Sequence, residues 1–326
     1  MHALLIVLAS LVLVVLALTA ISHLVFHRSL MASVVAVYLR IDNPRVSDDK
    51  IRAGLADYGR INSMPYRPPR DKYRGIELTE EYLFGVQMLV FTPKRCLSDT
   101  AAIYLAGGGF VRQPRRFHIR FLVRLARRSG VRIISPIYPK APCFTATDCY
   151  ERMLGVYGVL RERYGHLSLL GDSSGATVAL GMTLLLADAG LKQPQTLVLL
   201  SPCPDISLSN PDISRYERLD PLIWASNVRI TARAWAGELS DTDPRVSPIF
   251  GSLERLACRI TLFAGERETL YPDILRLHRA LDGKGAEHTF VSARGMNHVY
   301  QIYPIPEAAR ELRFISKIIS SEEERK

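Results

Sequence analysis

Leu167-Ser168-Leu169-Leu170-Gly171-Asp172-Ser173-Ser174-Gly175-Ala176-Thr177-Val178-Ala179-Leu180 lays out a strand, a turn and the start of a helix. Leu167 to Leu170 is an apolar run of strand length, and Ala176 to Ala187 has helical composition and length. Gly171-Asp172-Ser173-Ser174-Gly175 must therefore reverse the chain within a few residues. The two glycines leave room for the backbones to cross, the central serine is lifted out at the apex, and the following helix aims its amide dipoles at whatever reacts there. Ser173 is the candidate nucleophile.

Working outward, short apolar runs alternate with longer helix-like stretches, which is the βαβ signature of a parallel sheet. Candidate strands are Tyr82 to Phe91, Ala101 to Ala106, Val131 to Pro136, Leu167 to Gly171, Thr196 to Leu200, Ile260 to Ala264 and Thr289 to Val291. Helical periodicity fits Phe117 to Ser129, Thr147 to Tyr164, Ser174 to Ala189, Pro272 to Leu281 and Pro306 to Ile319. Runs such as Leu197-Val198-Leu199-Leu200 are apolar on both faces, as strands of a central sheet covered by helices on both sides must be. The expected class is α/β, with a mostly parallel central sheet flanked by helices. Two regions, Arg28 to Gly75 and about Asp205 to Val246, break the alternation, and the first carries Pro65, Pro68 and Pro69. Insertions of this kind often cover an active site, so a helical cap built from about 28–75 and 205–246 is expected.

The chain has 326 residues, 48% of them hydrophobic and 23% charged, a globular composition apart from a strongly apolar start. Ala3 to Phe26 contains no Asp, Glu, Lys or Arg and as a helix would span roughly 36 Å, enough to cross a bilayer. A cleaved signal peptide is the rival reading, but the run has no basic n-region and only a small-residue site near Ala17 and Thr19. The expected organisation is a signal anchor over 1–27, a catalytic domain over 28–320 and a charged tail over 321–326. The expected location is a membrane crossed once, that of the endoplasmic reticulum in a eukaryote. Arg28, Arg40 and Arg45 follow the run, which by the positive-inside rule favours a cytosolic domain and leaves the side of the membrane open.

The net charge of +10 arises from 42 basic and 32 acidic residues, with Arg112, Arg115, Arg116, Arg120, Arg124, Arg127 and Arg128 clustered. Such spacing is first a solvated helix face, and second a surface for anionic lipid. No nucleic-acid recognition motif accompanies it, so a nucleic-acid partner is not expected. Cys96, Cys143, Cys149, Cys203 and Cys258 form no CxxC pair and are expected as buried free thiols rather than a zinc site.

A serine hydroxyl needs a base to take its proton and donors to hold a developing oxyanion. After the strand Ala101 to Ala106 comes Gly107-Gly108-Gly109-Phe110, where backbone amides can approach a substrate carbonyl. With this loop upstream of the serine turn, the chain resembles the hormone-sensitive-lipase-like branch of the α/β hydrolases, which includes arylacetamide deacetylase and the fungal steryl deacetylases. The resemblance runs from about Tyr82 to the C-terminus and also rests on Ser201-Pro202-Cys203-Pro204-Asp205, Asp243-Pro244-Arg245-Val246-Ser247-Pro248 and Asn297-His298-Val299-Tyr300. It implies the α/β-hydrolase fold, and an oxyanion hole of the Gly108, Gly109 and Ser174 amides.

Two positions depart from the family pattern. Ala106 stands where the family has a histidine that buttresses the glycine loop. Glu268, in Gly265-Glu266-Arg267-Glu268-Thr269-Leu270, stands where the family has the acidic aspartate, with Glu266 and Asp273 as alternatives. Glutamate does serve as the third member in some α/β hydrolases, where it orients the histidine and stabilises the imidazolium. His298, in the loop past the next candidate strand, is the candidate base, and His166, His278 and His288 lie beside or within ordinary elements. The chain order Ser173, Glu268, His298 is the α/β-hydrolase order. The resemblance thus implies ester hydrolysis through an acyl-enzyme, with no metal or organic cofactor. The expected substrate is a small hydrophobic ester, such as a short-chain acyl or acetyl ester of a sterol, another lipid or a xenobiotic, met at the bilayer in which residues 3–26 sit. A catalytically degraded member that binds a lipid or a protein is the alternative, motivated by Ala106 and Glu268.

Overall fold

The computed structural model describes residues 2–69 and 73–320, so the tail 321–326 and part of the proline-bearing segment lie outside the described residues. The chain opens with helices α1 (His2–Leu24), α2 (Leu30–Asp42) and α3 (Asp48–Asn62). Strands β1 (Ile76–Leu83), β2 (Val86–Pro93) and β3 (Thr100–Leu105) follow, then α4 (Arg116–Ser129), β4 (Arg132–Pro136), α5 (Ala146–Arg163), β5 (His166–Asp172), α6 (Ser174–Asp188) and β6 (Thr196–Leu200). Helices α7 (Ile213–Glu217) and α8 (Ala225–Ala236) precede β7 (Arg259–Gly265), α9 (Tyr271–Gly283), β8 (His288–Ala293) and α10 (Pro306–Ile319).

The strands form one eight-stranded sheet in the order β1-β2-β4-β3-β5-β6-β7-β8. Only β2 runs against its neighbours, pairing antiparallel with both β1 and β4, and every pair from β4 to β8 is parallel. This is the mostly parallel sheet expected from the alternating sequence. The expected strand Tyr82 to Phe91 is instead a hairpin. Phe84 and Gly85 both adopt positive φ, 50° and 71°, which is the twist a two-residue hairpin turn requires.

Side-chain alternation divides the core into two layers. Ala101, Ile103 and Leu105 of β3 pack with Leu167, Leu169, Leu197 and Leu199 against α5 and α6. Ala102 and Tyr104 pack with Leu170, Val198 and Leu200 on the other face, against α4 and α10. Each such fully buried large side chain contributes about 1.5–3 kcal/mol.

The two regions that interrupt the alternation carry α2 and α3, and α7 and α8. Specific bonds hold them in place: the Asn62 amide donates to the Val111 and Ala141 carbonyls in the loops after β3 and β4, and Trp224 Nε1 donates to the Asn43 carbonyl, joining the two regions to each other. Helix α1 is apolar throughout, with a mean hydropathy of 3.1 over Leu4–Leu24, and is long enough to cross a bilayer. Among the cysteines, Cys149, Cys203 and Cys258 are buried as expected, whereas Cys96 is half-buried and Cys143 is exposed on the loop before α5.

Candidate active site

The turn that carries Ser173 connects β5 to α6 as tightly as its glycines allow. A Cβ on Gly175 would lie 2.0 Å from the Leu105 carbonyl oxygen, and one on Gly171 would lie 2.5 Å from the Gly175 backbone. Ser173 itself has φ 51° and ψ −126°, a conformation that L-residues rarely occupy and that surrounding contacts must enforce. Its amide is tied to the Leu200 carbonyl at 2.8 Å, so β6 helps hold the apex. Ser173 is half-buried and open to the cavity described below.

From the far edge of the sheet two loops bring the other groups. His298 Nε2 lies 2.9 Å from Ser173 Oγ, and His298 Nδ1 lies 2.5 Å from Glu268 Oε2. The second Glu268 oxygen accepts the Gly265 amide at 2.8 Å, which fixes the carboxylate plane. With Nδ1 donating to Glu268, Nε2 is left to accept from the serine hydroxyl. The alternative acids are elsewhere: Glu266 accepts from Ser292 on the surface, and Asp273 accepts from Asn210.

A further carboxylate, Asp220, stands close by and was not singled out in the sequence. It is fully buried and accepts the amides of Leu222, Ile223 and Thr269. Burial pushes its pKa up to about 6, against the opposing influence of His298 and those amides. For His298, burial acts to lower the pKa, but the bond to Glu268 and the charges of Glu268, Asp220 and Asp172 raise it above its ordinary value. An imidazolium at His298 is thereby stabilised.

The glycine loop lacks the family histidine at Ala106 but is not left unsupported. The Gly107 amide donates to Asp172 Oδ1 at 2.9 Å, and the Tyr104 hydroxyl donates to the same oxygen at 2.6 Å. His118 Nε2 lies 3.2 Å from Asp172 Oδ2. Since the Arg115 amide donates to His118 Nδ1, Nε2 is the nitrogen that carries the proton toward Asp172. Burial opposes a charge on Asp172, yet His118, Tyr104 and the Gly107 amide outweigh it and hold the carboxyl below its ordinary pKa. Tyr138 completes the support by donating to the Ala106 carbonyl at 3.0 Å. His118 and Asp220 carried no sequence signal, because each is a single residue brought in by tertiary packing.

Among the described residues the Gly108, Gly109 and Ser174 amides donate to no protein acceptor. Gly108 and Gly109 border a cavity of about 630 Å³ that also holds Ser173 and His298 and is walled by Val46, Ile51, Trp224 and Val228. The walls come from α2 and α3 with the loop between them, and from α8 with the loop before it. The site is therefore a buried acid, a histidine and a serine in hydrogen-bonded sequence, with unpaired amides next to the serine and an apolar space in front of it.

A family model described as the alpha/beta hydrolase fold matches residues 102–302. Among curated proteins, an esterase of Acinetobacter venetianus is 25% identical over 224 residues, covering 67% of this chain and 74% of its own. A triacylglycerol lipase of Mycobacterium tuberculosis is 27% identical over 217 residues, covering 66% of this chain, which spans less than half of that protein, 45%. Among solved structures, an esterase of the bacterial hormone-sensitive lipase family superposes with a TM-score of 0.75 over 89% of this chain and 97% of that one, at 23% identity.

Proposed function

The chain belongs to the hormone-sensitive-lipase-like α/β hydrolases and is a carboxylic ester hydrolase of the serine type, and from that premise we propose that Ser173 is its nucleophile, His298 its base and Glu268 its acid. The observation that carries the reading is the continuous relay from Ser173 Oγ through His298 to Glu268, at 2.9 and 2.5 Å. His298 takes the serine proton as Oγ attacks the ester carbonyl. The amides of Gly108, Gly109 and Ser174 receive the oxyanion, and His298 returns the proton to the departing alcohol. Water then attacks the acyl-enzyme with His298 again as base, releasing the acid. Glu268 orients the ring and offsets the charge it gains, and no step calls for a metal or organic cofactor.

The apolar walls of the cavity favour esters of hydrophobic alcohols with short acyl groups, including sterols, other lipids and xenobiotics. The segments 28–75 and 205–246 act as the cap, since they supply those walls. The apolar α1 is read as an anchor rather than a cleaved signal, because no basic n-region precedes it and its apolar run is long enough to cross a bilayer. A degraded, purely binding member is disfavoured, since the glutamate reaches His298 and the loop at Ala106 has other support.

A fluorophosphonate probe tests the assignment. Wild-type protein is expected to label, and Ser173→Ala is expected to lose labelling together with about 10³-fold or more of its p-nitrophenyl butyrate hydrolysis. Unlabelled but folded wild type would overturn it.

A further inference from the structure

Helix α2 is apolar on two opposite faces. Ala32, Ala36 and Leu39 point into the domain and are buried, at 1%, 7% and 1% exposure. On the other side Met31, Val34, Val37, Tyr38 and Ile41 are exposed by 46 to 74%. Spaced three and four residues apart, these five line one stripe of the helix. A contiguous exposed stripe of this kind marks an interaction surface, since scattered single residues are the norm on a soluble face.

What covers the stripe follows from its continuity with α1. Only Val25 to Ser29 separate the two helices, and that turn is fixed to the domain. The Ser29 amide and hydroxyl both donate to the Glu307 carboxylate, at 2.7 and 3.0 Å. The Phe26 ring lies between the guanidinium groups of Arg28 and Arg267, 5.2 and 5.6 Å from its centroid. Gly295 packs so closely on the turn that a Cβ there would lie 2.3 Å from the Phe26 carbonyl oxygen. A bilayer crossed by α1 cannot pivot freely against the catalytic domain, so the helix directly after the turn is presented to the membrane surface in a set orientation.

The far end of α2 reaches the cavity. One residue beyond Ile41, Asp42 begins the cavity lining, and its exposed members Asp42, Pro44, Lys50, Arg112 and Arg115 mark where the cavity opens. Arg40, on the flank of α2, donates to the carbonyls of Arg218 and Asp220 and so ties the helix to the loop that bears the buried carboxylate.

We propose that the Met31–Ile41 stripe of α2 seats in the interfacial layer of the bilayer that α1 crosses, so that the cavity opens at the membrane surface and takes esters dissolved in lipid. This rests on the reading of α1 as an anchor and of the cavity as the substrate site. A helix with such a face embeds at the boundary of headgroups and acyl chains. An apolar ester then moves from the bilayer to Ser173 along the end of α2 without crossing bulk water. Because none of the five stripe residues carries a charge, the attraction is apolar, and neutral phosphatidylcholine serves as the membrane.

Full-length protein in phosphatidylcholine vesicles carrying brominated acyl chains tests the seating without requiring turnover. Val37→Trp fluorescence is expected to be quenched well beyond that of Tyr82→Trp, an exposed position on β1 away from the stripe. Quenching of Leu13→Trp in α1 with none at Val37→Trp would overturn the proposal alone, and quenching at neither would overturn the anchor reading with it. In the same vesicles the triple variant Val34→Glu, Val37→Glu, Ile41→Glu is expected to lose about tenfold or more of its activity on a bilayer-dissolved long-chain p-nitrophenyl ester. Its hydrolysis of water-soluble p-nitrophenyl acetate should stay within about twofold of wild type, because the substituted side chains face away from the domain. Equal loss on both esters would overturn membrane delivery, and absence of turnover by wild type on both would overturn the esterase reading while leaving the quenching result to decide the seating.

Discussion

At the scale of single residues, His298, the proposed base, sits among more negative charge than Glu268 alone supplies. Glu268 and Asp220 both raise the His298 pKa, and that imidazole must be neutral to act as base. Activity is therefore expected to rise with pH through a midpoint above 6.5, the ordinary imidazole value. Glu268→Gln removes the largest favourable partner, so the midpoint should move down in pH while kcat falls about 10²- to 10⁴-fold, by analogy with losing the third member of a triad. Asp220→Asn should move the midpoint in the same direction with a smaller loss of kcat, because Asp220 acts on His298 through charge and not through a direct bond. A pH profile of kcat/KM for the three proteins checks both, and an unmoved midpoint in Glu268→Gln would count against its role. Linkage gives a matching stability effect: the raised His298 pKa contributes stability that is full below the unfolded value and is lost as pH rises through the folded one.

At the scale of elements, the support of the oxyanion loop comes from a helix that the sequence showed only as a periodic, arginine-rich stretch. Its buried face carries His118, flanked by Ile119, Phe121 and Leu122, and so delivers an imidazole to Asp172 at the base of the elbow. His118→Ala is expected to lower kcat about tenfold with a smaller effect on KM, since Asp172 would hold the Gly107 amide with one partner fewer and oxyanion donors act through placement. Steady-state kinetics separates the two: an unchanged kcat, or a change in KM alone, would rule out this positioning role. Most elements were legible because local pattern decided them. Strands β3 to β8 and helices α4, α5, α6, α9 and α10 follow from apolar runs and helical spacing. The hairpin of β1 and β2 was not, since Phe84-Gly85 lacks the Asn-Gly or Asp-Gly pair that announces a type I′ turn and the flanking residues continue the apolar run. Ser173, Glu268 and His298 were legible through the spacing and order of their motifs, whereas His118 and Asp220 matter only through neighbours distant in sequence.

At the scale of the whole molecule, the open matter is where the apolar N-terminal segment ends and the folded domain begins. A boundary after residue 27 follows from the last uncharged positions, yet Ser22 is buried, Phe26 lies between two guanidinium groups and the Phe26 and His27 carbonyls pack on Gly295. These contacts fall on the loops that carry Glu268 and His298: the Arg267 amide donates to the Met296 carbonyl, joining one loop to the other directly beneath the turn. Shortening the chain is therefore expected to have a sharp dependence on where it is cut. A protein beginning at Ser22 keeps every one of these contacts and should retain wild-type thermal stability and p-nitrophenyl acetate hydrolysis in solution. One beginning at Leu30 loses the Phe26 packing and both bonds to Glu307. The loss of two hydrogen bonds to a carboxylate costs on the order of 2 kcal/mol or more. That corresponds to a fall in Tm of roughly 4–8 °C. Because the slackened contacts abut the acid and base loops, kcat should fall with Tm, while a single Gly295→Ala exchange in the longer protein should reproduce both effects by pushing the turn away. Differential scanning calorimetry on the two shortened chains and the Gly295 variant checks this, and equal Tm for cuts at 22 and 30 would show that the turn is only a tether.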